Sequence, residues 1–257
     1  MSTIDTDALV RRLTVIESVA IIPRVSSTNL IARRVVTECI ENELAIPSAV
    51  IVAGEQFAGK GRGTRSWSSP AGKGIYATVM HTRPATDLSL VPLSIAVTIA
   101  SFLRMRFGID ARIKWPNDVL VGGRKIAGIL IEARTQESKV FLIIGAGINV
   151  TSLADELNPN ATSIAENHTD AVDLEATTMA FIEYLDAQLA RPFDREKVIR
   201  RWNELSVHAE GEAIRCLVGD RMLSGSWGGI DEHGRALLRN GGDVTAISAG
   251  DLTRVES

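Results

Sequence analysis

Little in this 257-residue chain is suited to covalent or metal chemistry. It has two cysteines, Cys39 and Cys216, far apart and in no CxxC-type spacing. That excludes a disulfide framework or a thiolate metal centre as a sequence reading. Both thiols read as small core residues, and the count fits a reduced, cytoplasmic setting. The four histidines, His81, His168, His208 and His233, stand in unrelated contexts. No serine or cysteine is therefore set beside a base in any nucleophile pattern. The N-terminal Met1–Asp7 is acidic and has no apolar run, so it does not read as a signal peptide. The longest apolar-rich segment, Leu88–Phe107, is broken by Pro92, by hydroxyl residues and by Arg104, and reads as a buried helix rather than a membrane span. A formal net charge of −3 argues against general nucleic-acid binding. There is no internal repeat. The most telling absence is local: from Gln56 to Thr86 there is not one Asp or Glu.

That acid-free stretch begins within Gly54-Glu55-Gln56-Phe57-Ala58-Gly59-Lys60-Gly61-Arg62-Gly63-Thr64-Arg65-Ser66-Trp67, which comes directly after the apolar strand candidate Ala49–Ala53. Glycines let the backbone turn its N–H groups toward one point. With Lys60, Arg62 and Arg65 among them, the segment suits a polyanion, most simply the phosphates of a nucleotide. Taken alone it reads equally as a solvated surface loop. Two familiar identities fail on it and its neighbour. Gly54-x4-Gly59-Lys60 is followed by Gly61 where a phosphate-binding loop needs Ser or Thr for magnesium, and no helix can start at once through Gly61 and Gly63. Gly145-Ala146-Gly147 meets Val150 where a dinucleotide fingerprint needs its third glycine.

Taken in order, residues 4–20 read as a short helix, with Leu9, Leu13 and Ile16 at helical spacing. Ser26-Ser27-Thr28-Asn29 then reads as a cap for a helix ending before Pro47. Strands follow at 75–81, 111–115, 119–121, 125–132 and 140–144, the last running into a double-glycine bend at 145–149. Helices are expected at 172–189 and 194–206. Strands joined mostly by hairpins, with helices interspersed, indicate an α+β fold: a sheet with helices on one face, not a doubly wound parallel one. Beyond His208 only short strand candidates and turns remain, so the expected division is a domain of 1–208 and a small β-barrel at 209–257.

Within this frame several polar residues flank strand ends. Asn117-Asp118 after Pro116, Lys125 seven residues past Asp118 across a Gly-Gly hairpin, and Asn149 past the glycines are each, singly, ordinary turn or strand-end residues. Together with Lys114 they could face one cleft. With no nucleophile in view, the chemistry left is alignment and charge stabilisation around a nucleotide.

The motifs together resemble one family, the biotin–protein ligases (biotin–[acetyl-CoA-carboxylase] ligases). Ser27-Thr28-Asn29, Gln56-x-x-Gly59-Lys60-Gly61-Arg62-x-x-Arg65-x-Trp67, Lys114-Trp115-Pro116-Asn117-Asp118, Lys125-Ile126-Ala127-Gly128-Ile129-Leu130-Ile131-Glu132 and Gly145-Ala146-Gly147-Ile148-Asn149 come in the family's order and spacing. The resemblance implies a catalytic domain like that of class II aminoacyl-tRNA synthetases, a mixed sheet with helices, plus an SH3-like C-terminal domain. It implies that biotin and Mg-ATP react to biotinyl-5′-AMP and pyrophosphate, and that the biotin then passes to a specific lysine of a biotin carboxyl carrier protein. It would give biotin to Ser27, Thr28, Asn29, Gln56, Gly59, Lys60, Gly61, Arg62, Lys125, Gly128 and Gly145. ATP would fall to Arg62, Arg65, Trp67, Lys114, Asn117, Lys125 and Asn149, and the chemistry to Arg62, Lys125 and Asp118. No protein metal site is expected, magnesium arriving with ATP. Ser26 stands where many members have Asp, and Lys60 where many have Arg, so a contact there would be a point charge rather than a fork. Only 25 residues precede Ser26, and the expectation is a ligase without a DNA-binding domain, acting without nucleic acid or membrane. An exposed strand edge beside the cleft could serve homodimerisation or acceptor docking. The rivals are a lipoate or octanoate ligase of the same fold and a non-catalytic biotin- or nucleotide-binding regulator.

Overall fold

A computed structural model describes residues 4–84, 88–136, 139–151 and 159–255. In chain order it has α1 (Thr6–Val10), β1 (Ser18–Val25), α2 (Thr28–Glu41), β2 (Ala49–Gln56), β3 (Gly74–Pro84) and α3 (Val91–Phe107), the last entered through a 3-10 turn at Leu88–Leu90. Then come β4 (Arg112–Lys114), β5 (Asp118–Val121), β6 (Arg124–Gln136) and β7 (Lys139–Asn149). Helices α4 (Ile164–Asn167), α5 (Leu174–Leu189) and α6 (Arg195–Leu205) precede β8 (Ala213–Val218), β9 (Arg221–Ile230), β10 (Ala236–Asn240), β11 (Asp243–Ile247) and β12 (Asp251–Arg254).

The first seven strands form a mixed sheet ordered β1-β2-β3-β7-β6-β5-β4. Only β1 and β2 run parallel in it; every other pair is antiparallel. Strand side chains alternate between faces, and the apolar sets follow. Val50, Val52, Ile75, Val79, Leu142 and Ile144 pack with α3 and α5. Ala49, Ile51, Met80, Phe141 and Ile143 pack with Ala32 and Val36 of α2 on the other face. The α+β class holds, but helices cover both faces rather than the one expected. The cause is that β2, β3 and β7 are apolar on both sides, so each face needs a cover.

The last five strands form a second, antiparallel sheet ordered β11-β10-β9-β8-β12, the small β unit expected from the turn-rich tail. Its Ile214, Cys216, Trp227, Leu238 and Leu252 belong to the same continuous core as α3 and the first sheet. Trp202 of α6 and Trp227 of β9 meet at the seam, ring centres 6.1 Å apart.

Three local expectations give way. The helix expected over 4–20 stops at Val10, and Ser18–Val25 is the edge strand of the first sheet. Its Ser-Val-Ala-Ile-Ile run holds three β-branched residues, Val19, Ile21 and Ile22, and pairs with β2, which overrides the weak helical spacing before it. Ser27 is the N-cap of α2 by position, yet no side-chain cap bond forms; the hydroxyl of Thr28 and the amide of Asn29 are used elsewhere. The glycines of 145–149 make no bend: β7 runs straight through Asn149, paired with β3 on one side and β6 on the other.

Candidate active site

The cavity that gathers the candidate residues lies on the α2 face of the first sheet, just past the start of that helix. Its volume is about 300 Å³, at the low end for small-molecule sites. Three strand glycines make its floor. A Cβ on Gly145 would lie 2.2 Å from Asn29 Oδ1, and one on Gly147 would lie 2.5 Å from the Trp67 indole. Gly128, opposite Gly147, lies beneath both Trp67 and the Lys125 side chain. The glycines are there because other groups come against the bare backbone, not because the chain turns.

One end of the cavity is built for hydrogen bonding. Ser27, Thr28 and Asn29, at the first turn of α2, are 2–5% exposed, and the side chains of Thr28 and Asn29 are committed to specific partners. The Thr28 N–H donates to Gln56 Oε1 at 2.8 Å, and Gln56 Nε2 donates to Ser69 Oγ at 2.8 Å. Asn29 Nδ2 donates to the Leu130 carbonyl at 3.2 Å and to Glu132 Oε1 at 3.4 Å.

The other end is cationic. Lys60, Arg62, Arg65, Lys114 and Lys125 line it against Asp118 and Asp251, five cations to two carboxylates, a surplus that favours a polyanion. Lys125 points here because β6 is bulged. Val119 pairs with Ala127, but Leu120 pairs with Lys125, leaving Ile126 as the extra residue. Without the bulge, Lys125, three residues from Gly128, would project from the opposite face. Instead its Nζ lies 2.7 Å from Asp118 Oδ1 and 5.2 Å from the centre of a Trp67 ring.

The glycine-rich stretch roofs the site as a small hairpin. Lys60 pairs with Ser66, the Gly61 N–H donates to the Arg65 carbonyl at 2.8 Å, and the Trp67 N–H donates to the Gly59 carbonyl at 2.9 Å. Arg62 Nη1 donates to Asn117 Oδ1 at 3.3 Å and to the Gly250 carbonyl at 3.5 Å. Arg65 Nη1 pairs with Asp251 Oδ1 at 3.0 Å.

The cavity thus brings together Ser27, Thr28, Asn29, Gln56, Lys60, Gly61, Arg62, Arg65, Trp67, Lys114, Asn117, Asp118, Lys125, Gly128 and Gly145. Two candidates stand behind its wall. Gly59 is buried against the Trp67 carbonyl, where a Cβ would come within 2.4 Å. Asn149 is buried with its Nδ2 donating to the Thr162 carbonyl at 2.9 Å and to the Lys125 carbonyl at 3.4 Å, so it braces the strand that carries Lys125. Missing from the sequence reading were Gly147 and the lining stretch Asp251-Leu252-Thr253. Gly147 was visible as the same-face neighbour of Gly145, two residues on in a strand. The β12 residues carry no local signal, since only the folding of the second sheet delivers them. Neither cysteine lines the cavity.

Comparison with known proteins gives the family. A model of the biotin/lipoate A/B protein ligase family matches residues 21–149. The bifunctional ligase/repressor BirA of Escherichia coli (strain K12) is 30% identical over 248 residues, covering 92% of this chain and 74% of that protein. The biotin–[acetyl-CoA-carboxylase] ligase of Paracoccus denitrificans is 32% identical over 222 residues, covering 80% of this chain and 90% of that one. In three dimensions the chain resembles the Aquifex aeolicus biotin protein ligase solved with biotin and ATP. The TM-score is 0.75, at 23% identity, over 92% of this chain and 99% of that chain, a likeness of fold.

Proposed function

Because the chain belongs to the biotin/lipoate A/B protein ligase family, we propose that it is a biotin–protein ligase, joining biotin to a lysine of a carboxylase's biotin carboxyl carrier with ATP as the driving substrate. A single observation carries the reading: one cavity has a hydrogen-bonding end at 27–29 and Gln56, a glycine floor, and a cationic end around Arg62 and Lys125. A ureido ring suits the first, a compact bicycle lying against bare backbone the second, and a carboxylate beside phosphates the third.

In the first step a carboxylate oxygen of biotin bonds to the α-phosphorus of ATP, and pyrophosphate leaves. In the second, the acceptor lysine's amine attacks the mixed anhydride carbonyl, AMP leaves, and the amine gives up a proton. Lys125 is placed to hold the carboxylate and α-phosphate, and in the transition state to stabilise the charge gathering on the phosphate oxygens. Arg62 closes the roof over the anhydride and keeps water from it. Arg65 and Lys114 face the polyphosphate, and Asn117, accepting from Arg62, fixes that guanidinium. Asp118, 2.7 Å from Lys125 Nζ, steadies that lysine and stands where the incoming amine sheds its proton. Among the described residues no three His, Cys, Asp or Glu side chains cluster as a metal site. The nearby oxygen donors, Asp118 and Asn117, fit magnesium held mainly by phosphates, where it would neutralise their charge.

The acceptor docks beside the open edge of β1, which ends the first sheet; pairing of two copies through that edge is the alternative use, and sedimentation of the protein with and without acceptor separates the two. The proposal involves neither nucleic acid nor membrane and places the enzyme in the cytoplasm. The net charge of −3, the buried α3 and two free cysteines support it. Incubation with ATP, magnesium and biotin should yield biotinyl-AMP, and lipoate in place of biotin should not. Formation of lipoyl-AMP alone would overturn the reading in favour of the lipoate branch of the family.

A further inference from the structure

Beneath the hydrogen-bonding end of the cavity lies Thr78, mid-strand in β3 and 0% exposed. A buried hydroxyl is costly unless paired. This one lies 2.7 Å from the Thr28 hydroxyl and 2.7 Å from Asn29 Oδ1. A hydroxyl has one proton and so donates to only one of two such neighbours. The orientation of Asn29 decides which. Its Nδ2 faces two acceptors, the Leu130 carbonyl and Glu132 Oε1; flipping the amide would set oxygen against oxygen at both. Oδ1 therefore faces Thr78 and requires a donor there, because two acceptors at 2.7 Å repel.

Thr78 thus gives its proton to Asn29, and the contact between the two threonines must be made by the proton of Thr28. The other neighbour of the Thr28 hydroxyl, Gln56 Oε1 at 3.1 Å, already receives the Thr28 N–H at 2.8 Å. The proton order runs Thr28 to Thr78 to Asn29, so the Thr28 proton points into the sheet and not into the cavity. What Thr28 Oγ1 and Asn29 Oδ1 have left for a ligand is lone pairs.

We propose that Thr78 is a positioning residue that holds the Thr28 hydroxyl and the Asn29 amide as paired acceptors, so that this end of the site selects a ligand head group bearing N–H donors. The inference rests on the biotin-ligase reading and deepens it. A ureido ring has two N–H groups to give; the dithiolane of a lipoyl ligand has none, and would leave both acceptors desolvated and unmet.

The test compares wild type with Thr78→Val, which keeps the shape and loses the hydroxyl, and Thr78→Ser, which keeps the proton. The readout is pyrophosphate release during adenylate formation. Thr78→Val should raise KM for biotin by about tenfold or more, the scale of a hydrogen-bond network lost to a ligand, with kcat and KM for ATP changed less than about threefold. Thr78→Ser should stay within about twofold of wild type. If Thr78→Val lacks native near-ultraviolet circular dichroism, Thr78→Cys, with a weak donor of similar size, takes its place in the comparison. A folded Thr78→Val with wild-type KM for biotin overturns the inference alone. So does a Thr78→Ser as impaired as Thr78→Val, which would make the role one of packing. Wild-type protein that forms no biotinyl adenylate overturns the functional reading, and this inference with it.

Discussion

Lys125 acquires its place from one extra residue. The bulge at Ile126 turns its side chain from the core face to the cavity, where Asp118 and Trp67 hold it. Lys125→Ala should leave the fold intact, since the side chain stands clear of the core, and reduce adenylate formation by roughly a hundredfold or more, as expected for removing a group that meets developing charge. Adenylation at the normal rate by a folded variant would remove Lys125 from the chemistry. Gly145→Ala tests the floor. The new Cβ meets Asn29 Oδ1 at 2.2 Å, so the amide must leave its place under the ligand head group. KM for biotin should rise by more than about tenfold, the scale of a lost buried hydrogen bond, while ATP saturation changes little; an unchanged KM would mean the floor yields. At this scale the sequence was informative about residue type and silent about aim. Lys125 was legible as a lysine at a strand end, whereas its face depended on a register shift that no local pattern encodes.

Among the elements, the roof hairpin carries the most function per residue. Its turn is closed by backbone bonds between 59–61 and 65–67, while Arg62 and Arg65 reach outward to Asn117, Gly250 and Asp251. The Arg65–Asp251 pair is more than half exposed on both sides and contributes little to stability. Its value is that Arg65 can exchange a carboxylate for phosphate oxygens at small cost. Arg62→Gly should still make biotinyl-AMP but lose it to solvent, and an unrelated lysine-rich protein added to the assay should become biotinylated. Firm retention of the intermediate by that variant would contradict Arg62 as its cover. The strands β2, β3, β5 and β6, the buried α3 and the helices α5 and α6 were legible because each has one strong period or apolar run between clear breakers. β1 was not, because its partner β2 begins 31 residues later and only pairing makes it a strand. The capping reading of 27–29 failed for a related reason: the true partners of Thr28 and Asn29, namely Gln56, Thr78 and Leu130, are far along the chain.

At the scale of the molecule, the two sheets share a seam. His208 lies there, 4.8 Å from Trp227 ring to ring, with neither ring nitrogen hydrogen-bonded. Burial first, then the positive charges of Arg254 and Lys114, push its pKa down to about 4. Glu212, 3.9 Å away, is already engaged by Arg254. The unfolded chain binds this proton near pH 6.5 and the folded one only near pH 4, so between those values unfolding takes up a proton and stability falls as pH falls. The full span is worth roughly 3 kcal/mol. His208→Phe should lack that component: from pH 7 to pH 4.5, urea unfolding of wild type should lose about 2–3 kcal/mol more than the variant does. Parallel losses in the two proteins would place the pH sensitivity elsewhere.

The seam has one more consequence. The core is continuous from α3 to β12, Trp115 Nε1 donates across to the Gly234 carbonyl at 3.0 Å, and the roof arginines reach Gly250 and Asp251. Neither sheet can therefore let go alone, and mass action at the cavity is felt by the whole chain. A substrate present at a hundred times its dissociation constant adds about 2.7 kcal/mol to the folded state. On heating, that increment should displace one cooperative transition as a unit, the small C-terminal sheet melting at the same raised temperature as the sheet that holds the ligand.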